Sequence, residues 1–132
     1  MLLSRHGRSL VVQSPAKLNL FLEVLGARPD GFHELETLMV TVGIFDTLSF
    51  TEEVSGRIRL RCLGTPAAPL ADYDSFAGGQ SGRDNLVVEA AELLRTHAGV
   101  DFGVRVELQK RIPLKSGLAG GSTDAAATLI AL

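Results

Sequence analysis

The chain has 132 residues, of which 45% are hydrophobic and 21% charged, enough for one domain with a modest core and too apolar for a disordered chain. Its net charge of -2 excludes a general attraction to nucleic acid or to an anionic membrane, and leaves room only for a small anion held at a local site. The single cysteine, Cys62, excludes an internal disulfide and a cysteine-based zinc cluster; it suits a cytoplasmic location, and no apolar run approaches the roughly 20 residues of a membrane span.

The first residues, MLLSRHGRSLVVQSP, carry Arg5 and Arg8 and no acid, somewhat as a transit peptide does. A secretory apolar core is missing and a strand pattern begins by Leu18, so these residues read as an extension running into the first strand. Leu18, Leu20, Leu22 and Val24 alternate, which predicts a strand over 18–25 with these four on one face. Gly26 to Gly31, GARPDG, is turn chemistry. A second β-rich stretch runs from about Met39 to Thr51. RIRLRCL, Arg57 to Leu63, alternates strictly and predicts a half-exposed strand with Ile58, Leu60 and Cys62 inward. Gly64 to Arg83 is rich in Gly, Pro, Asp and Ser and predicts a surface excursion or disorder.

Asp84 then stands where a helix N-cap would, Leu86, Ala90, Leu93 and Leu94 form a helical stripe, and Gly99 is a stop. Val104, Val106 and Leu108 mark a further strand. A second helix is expected from about Ser122 to the last residue, Leu132. It ends apolar and without a stop signal, so the chain reads as incomplete inside its domain. The mixture of segment types predicts an α+β fold in one domain, 1–132.

The strongest local signal is PLKSGLAGGSTDAAA, Pro113 to Ala127. Glycines let backbone N–H groups approach an anion, and a helix N-terminus adds unpaired donors and partial positive charge. Ser and Thr hydroxyls can hydrogen-bond phosphate oxygens. These parts suit a triphosphate, although the run is neither a GxxxxGK[ST] loop nor a GxGxxG loop. Asp124 is a complication, because a carboxylate repels phosphate unless it faces away. A plain strand-to-helix turn with a Ser cap is the alternative.

PLKSGLAGGSTDAA resembles the glycine-rich motif of the GHMP small-molecule kinases. Two further segments agree in order and spacing: SPAKLNLFLEVLGARPDGFHELET, Ser14 to Thr37, and RDNLVVEAAELL, Arg83 to Leu94. The likeness covers almost the whole chain and is nearest to one branch of the family. It implies the N-terminal domain of those kinases, a two-layer fold with a left-handed βαβ element shared with some ribosomal and gyrase-type proteins. It also implies ATP and Mg²⁺, a small-molecule alcohol as acceptor, and neither nucleic acid nor membrane as partner.

The resemblance assigns Lys17 as the catalytic lysine beside the acceptor hydroxyl and Asn19 as a substrate contact. Phe32 and His33 match an aromatic–histidine pair that holds a cytosine. Asn85, Leu86 and Val87 match part of an adenine pocket, and Lys110 a lysine near the nucleotide. Pro113, Gly117, Leu118, Ala119, Gly120, Gly121, Ser122 and Thr123 match the phosphate loop. Lys115 and Ser116 stand where the family often has small residues, and Ala119 where glycine is frequent. The family's aspartate, in a GADVP-like motif, is expected after Leu132. Two other readings stay open: another kinase of the family, and a fragment that does not catalyse. An RNA-binding domain of similar fold is disfavoured by the acidic balance.

Overall fold

The computed structural model describes residues 1–63, 71–73 and 85–132. In chain order the elements are β1 (Leu2–His6), β2 (Ser9–Ala27), β3 (His33–Glu52), β4 (Ile58–Leu63), β5 (Ala71–Tyr73), α1 (Leu86–Ala98), β6 (Val104–Gln109) and α2 (Gly120–Ala131). The strands form one sheet in the order β1-β2-β3-β6-β4-β5. Neighbours are antiparallel except β4 and β6, which run parallel. Parallel neighbours cannot be joined by a hairpin, and α1 lies on the connection between them. The expected α+β architecture with a βαβ element is therefore present. Residues 64–83 lie outside the described residues apart from β5, which pairs with β4.

Alternation decides the sheet's inner face. Leu48 and Phe50 on β3, Ile58 and Leu60 on β4, and Val104, Val106 and Leu108 on β6 are all buried in one core cluster. Cys62 packs against its edge, as the arginine-alternating pattern predicts. The helices close the other side with Val87, Val88, Ala91 and Ala127. Each fully buried Val or Leu contributes roughly 1.5–3 kcal/mol.

Helix α1 starts one residue later than expected. Asp84 lies outside the described residues, and the cap is Asn85, whose Oδ1 accepts the Val87 N–H at 3.0 Å. Gly99 ends the helix in the left-handed conformation (φ 64°), donating back to the Arg95 and Thr96 carbonyls. The buried stripe also differs. Leu86 and Leu93 are exposed, while Val87, Val88, Ala90 and Ala91 face inward. Both stripes satisfy a 3.6 period. Helices α1 and α2 pack on each other as well as on the sheet, and the face of short side chains allows that close approach.

Beyond a register shift at Pro15/Ala16, β2 and β3 leave the sheet as a two-stranded arm. Strand β1 pairs only with β2 up to Gln13, and β6 only with β3 from Thr47 onward. Leu18, Leu20, Leu22 and Val24 do form strand, but all four are exposed, as are Phe21, Leu25, Leu35, Leu38 and Met39. Alternation predicted the strand; nothing in the described residues covers its apolar face. Helix α2 is similarly apolar around its circumference near its end, and Leu129, Ile130 and Leu132 are exposed as expected. Among the described residues no helix is long and apolar enough to cross a membrane.

Candidate nucleotide site

The glycine run leaves β6 at Gln109, turns through 110–119 and enters α2 at Gly120. The helix thus begins two residues before Ser122, and Gly120 and Gly121 belong to its first turn. Its N-cap is Ala119, with no side-chain capping bond. The Ser-cap alternative is therefore corrected: Ser122 lies inside the helix and exposed. The first intrahelical bond at this end runs from the Thr123 N–H to the Ala119 carbonyl at 2.9 Å. The N–H groups of Gly120, Gly121 and Ser122 precede it and carry the partial positive charge of the helix end.

Two non-glycine residues of the loop sit in left-handed backbone, Lys115 at φ 54° and Ala119 at φ 60°, and Gly117 does likewise at φ 75°. A side chain in that region costs roughly 1–2 kcal/mol, so the loop forms under strain at two positions. The Ser116 hydroxyl steadies it, donating to the Pro113 carbonyl at 2.7 Å. The Thr123 hydroxyl is turned back onto the Ala119 and Gly120 carbonyls at 3.2 and 3.1 Å.

Lys17 is joined to this loop directly. Its backbone N–H donates to the Leu118 carbonyl at 3.0 Å. Its Nζ donates to Asn19 Oδ1, Asn19 Nδ2 donates to the Thr37 hydroxyl at 2.7 Å, and Thr37 donates to the Phe21 carbonyl at 2.8 Å. The relay fixes the ammonium on the arm beside the loop. Phe32 and His33 sit at the arm's far tip: His33 pairs with Ala27, ten residues along β2 from Lys17. That is roughly 33 Å of straight strand at about 3.3 Å per residue, and two register shifts bend it. Phe32 is 72% exposed. The fold therefore joins Lys17 and Asn19 to the loop and sets Phe32 and His33 at the opposite end of the same ribbon.

Of the residues expected at the adenine, Leu86 is exposed at the start of α1, and a Cβ on Gly121 would lie 3.4 Å from its Cδ1. Asn85 spends its carbonyl oxygen on capping. Val87 is a core residue, 1% exposed, and packs instead of lining a pocket.

Lys110 is held between two carboxylates, Asp46 Oδ2 at 2.5 Å and Asp124 Oδ2 at 2.8 Å. Asp46 Oδ1 also accepts the Arg111 and Ile112 N–H groups at 2.5 and 2.9 Å. Burial pushes Asp124 up to about 6, against the opposing hydrogen bond and charge of Lys110. For Lys110, burial pulls downward, yet the bonds and charges of Asp124 and Asp46 outweigh it and raise its pKa. Asp124 thus faces the sheet and not an anion, which removes the objection raised by its sequence position. Sequence reasoning missed Asp46. Its signal was parity: it shares the core face of β3 with Leu48 and Phe50.

Residues 85–132 match the GHMP kinases N terminal domain. The chain's relatives narrow the likeness. It is 48% identical over 124 residues to the 4-diphosphocytidyl-2-C-methyl-D-erythritol kinase of Synechococcus sp. (strain CC9902), covering 93% of this chain and 36% of that protein. A crystal structure of 4-(cytidine 5'-diphospho)-2C-methyl-D-erythritol kinase superimposes with a TM-score of 0.67 at 38% identity, covering 92% of this chain and 39% of the other. The homoserine kinase of Cytophaga hutchinsonii shares the fold alone, with a TM-score of 0.66 at 16% identity over 99% of this chain and 36% of the other. The chain spans about a third of the length of the relatives it matches.

Proposed function

We propose that the chain is the nucleotide-binding part of an ATP-dependent kinase that phosphorylates the 2-hydroxyl of 4-diphosphocytidyl-2-C-methyl-D-erythritol, a step in making isoprenoid precursors. The observation that carries this is the Lys17–Leu118 hydrogen bond, which sets the lysine of PAKLNL against the loop that opens α2. The N–H groups of Gly120, Gly121 and Ser122 receive phosphate oxygens, with Pro113, Gly117, Leu118 and Ala119 shaping the loop. Lys17 lies beside the acceptor hydroxyl and offsets its developing negative charge. Asn19 orients Lys17 and the substrate, and Phe32 and His33 take the cytosine only where the register shifts at Asn19/Phe21 and Val24/Gly26 curl the arm's tip back toward the loop. Leu86 borders the adenine. Mg²⁺ enters with ATP as part of the substrate, held mainly by phosphate and water; among the described residues no three His, Cys, Asp or Glu form a metal cluster.

A second reading, that these residues bind nucleotide but do not catalyse unaided, is favoured by the exposed apolar arm and the exposed end of α2. Phosphoryl transfer depends on positioning, and these faces are where a cleft wall would pack. The test is to titrate the 132-residue chain with ATP-Mg²⁺ and to assay transfer, alone and fused to the remaining two-thirds of the Synechococcus relative. Binding by the chain, with transfer only in the fusion and its loss by about 10²–10³-fold in Lys17→Met, is expected. Absence of transfer in a folded fusion rejects the kinase reading. Turnover near 1 s⁻¹ by the chain alone, a usual kinase rate, rejects the second.

A further inference from the structure

Lys110 lies directly beneath the first turn of α2. A Cβ built on Gly120 would sit 3.1 Å from its Nζ and 3.0 Å from Ile112 Cγ2. Three separate parts of the chain meet at this one ammonium. Strand β3 contributes Asp46, the segment after β6 contributes Lys110 itself, and the second turn of α2 contributes Asp124. Asp46 is fully buried and uses both oxygens, so it also clamps the backbone at Arg111 and Ile112.

We propose that Asp46, Lys110 and Asp124 form a positioning device for the phosphate loop, in which Lys110 acts on the N-terminus of α2 through Asp124 and does not itself contact the nucleotide. This deepens the kinase reading above and rests on it for the word nucleotide. The geometry supports it in two ways. The ammonium has two carboxylate partners and only 15% of its side chain exposed. Turning it toward a phosphate would strip a buried carboxylate of its cation, which is strongly unfavourable. Second, the Asp124 bond anchors the second turn of α2 while the ammonium lies against Gly120 in the first, so the direction of the Gly120, Gly121 and Ser122 N–H groups depends on where Lys110 stands. Buried ion clusters add little net stability compared with apolar packing, and their attested use is in fixing one geometry among several.

The test uses the 132-residue chain and three variants: Lys110→Met, Asp124→Asn and the double substitution. Amide hydrogen exchange is read at Thr123, whose N–H closes the first turn, and at Leu48 and Val106 in the sheet. ATP affinity is measured in parallel. Each single substitution should speed exchange at Thr123 at least tenfold more than in the sheet, weaken ATP at least tenfold, and the double should be no worse than the worse single, because both break one unit. Additive effects, or Lys110→Met losing ATP affinity with Thr123 protection intact, would overturn the proposal in favour of direct contact. Should Lys110→Met not fold, Asp124→Asn, which keeps its shape, decides alone; unchanged exchange at Thr123 rejects the device. If the unaltered chain binds no ATP, the nucleotide reading fails by itself, while the exchange data still accept or reject the coupling.

Discussion

Lys17 and Leu118, from opposite ends of the chain, share a backbone hydrogen bond of 3.0 Å from N–H to carbonyl. It ties the β2 arm to the loop that opens α2, and it places an ammonium-bearing residue beside an uncapped helix end. Such a bond is indifferent to the lysine side chain, so the Lys17 variant tests chemistry without removing the tie.

Gly120 is the tightest position in the loop. Its Cβ would press on Ile112 and on the Lys110 ammonium at 3.0 and 3.1 Å. Gly120→Ala should therefore cost about 1–3 kcal/mol, as overpacking does, and weaken ATP as well. Gly121, with only Leu86 at 3.4 Å, should tolerate alanine better. Urea unfolding and ATP titration of the two variants check the order; equal losses would show that space beside Gly120 is not what matters.

Ala119 is strained at φ 60° in a place where glycine is strain-free. Ala119→Gly should stabilise the chain by about 0.5–1 kcal/mol, the relief of left-handed strain less the greater freedom of glycine in the unfolded chain. A lowered urea midpoint at constant m-value would contradict this.

Asp124 makes stability depend on pH. Its folded pKa, about 6, stands above its ordinary value near 3.8, so the folded state binds the proton more tightly. The resulting stabilisation is fully present below the unfolded value and is lost as pH rises through about 6. Between pH 8 and pH 5 the chain should gain on the order of 1 kcal/mol relative to Asp124→Asn, roughly one pKa unit's worth. Denaturation of both proteins at the two pH values measures it. A difference that stays flat, or grows toward pH 8, rules it out.

The arm and the end of α2 expose Leu20, Met39, Ile130 and their neighbours. Patches of this kind mark interaction surfaces. Substituting Leu20→Lys with Ile130→Lys should change stability by no more than about 0.5 kcal/mol, as at other surface sites, and should reduce self-association seen by sedimentation. A loss of several kcal/mol would mean that these side chains are packed in solution.

Periodicity and turn chemistry, both local, were enough to determine most elements: the β4 and β6 alternation, the Gly99 stop and the break between β6 and α2 all stand where the residues place them. The mixture of segment types set the α+β class, and the glycine run marked the loop that opens α2. What was not local could not be read. The stripe of α1 that is buried depends on α2 lying against it, and period 3.6 allows either choice. The exposure of Leu18 to Val24 depends on what covers the arm, which alternation does not encode. Lys110 gave no sign in the sequence of the two carboxylates that hold it, Asp46 brought from β3 on one side and Asp124 from α2 on the other. A charge's partner is decided by which elements the fold brings within about 3 Å of it, and desolvation in the core makes that partner, once chosen, hard to exchange.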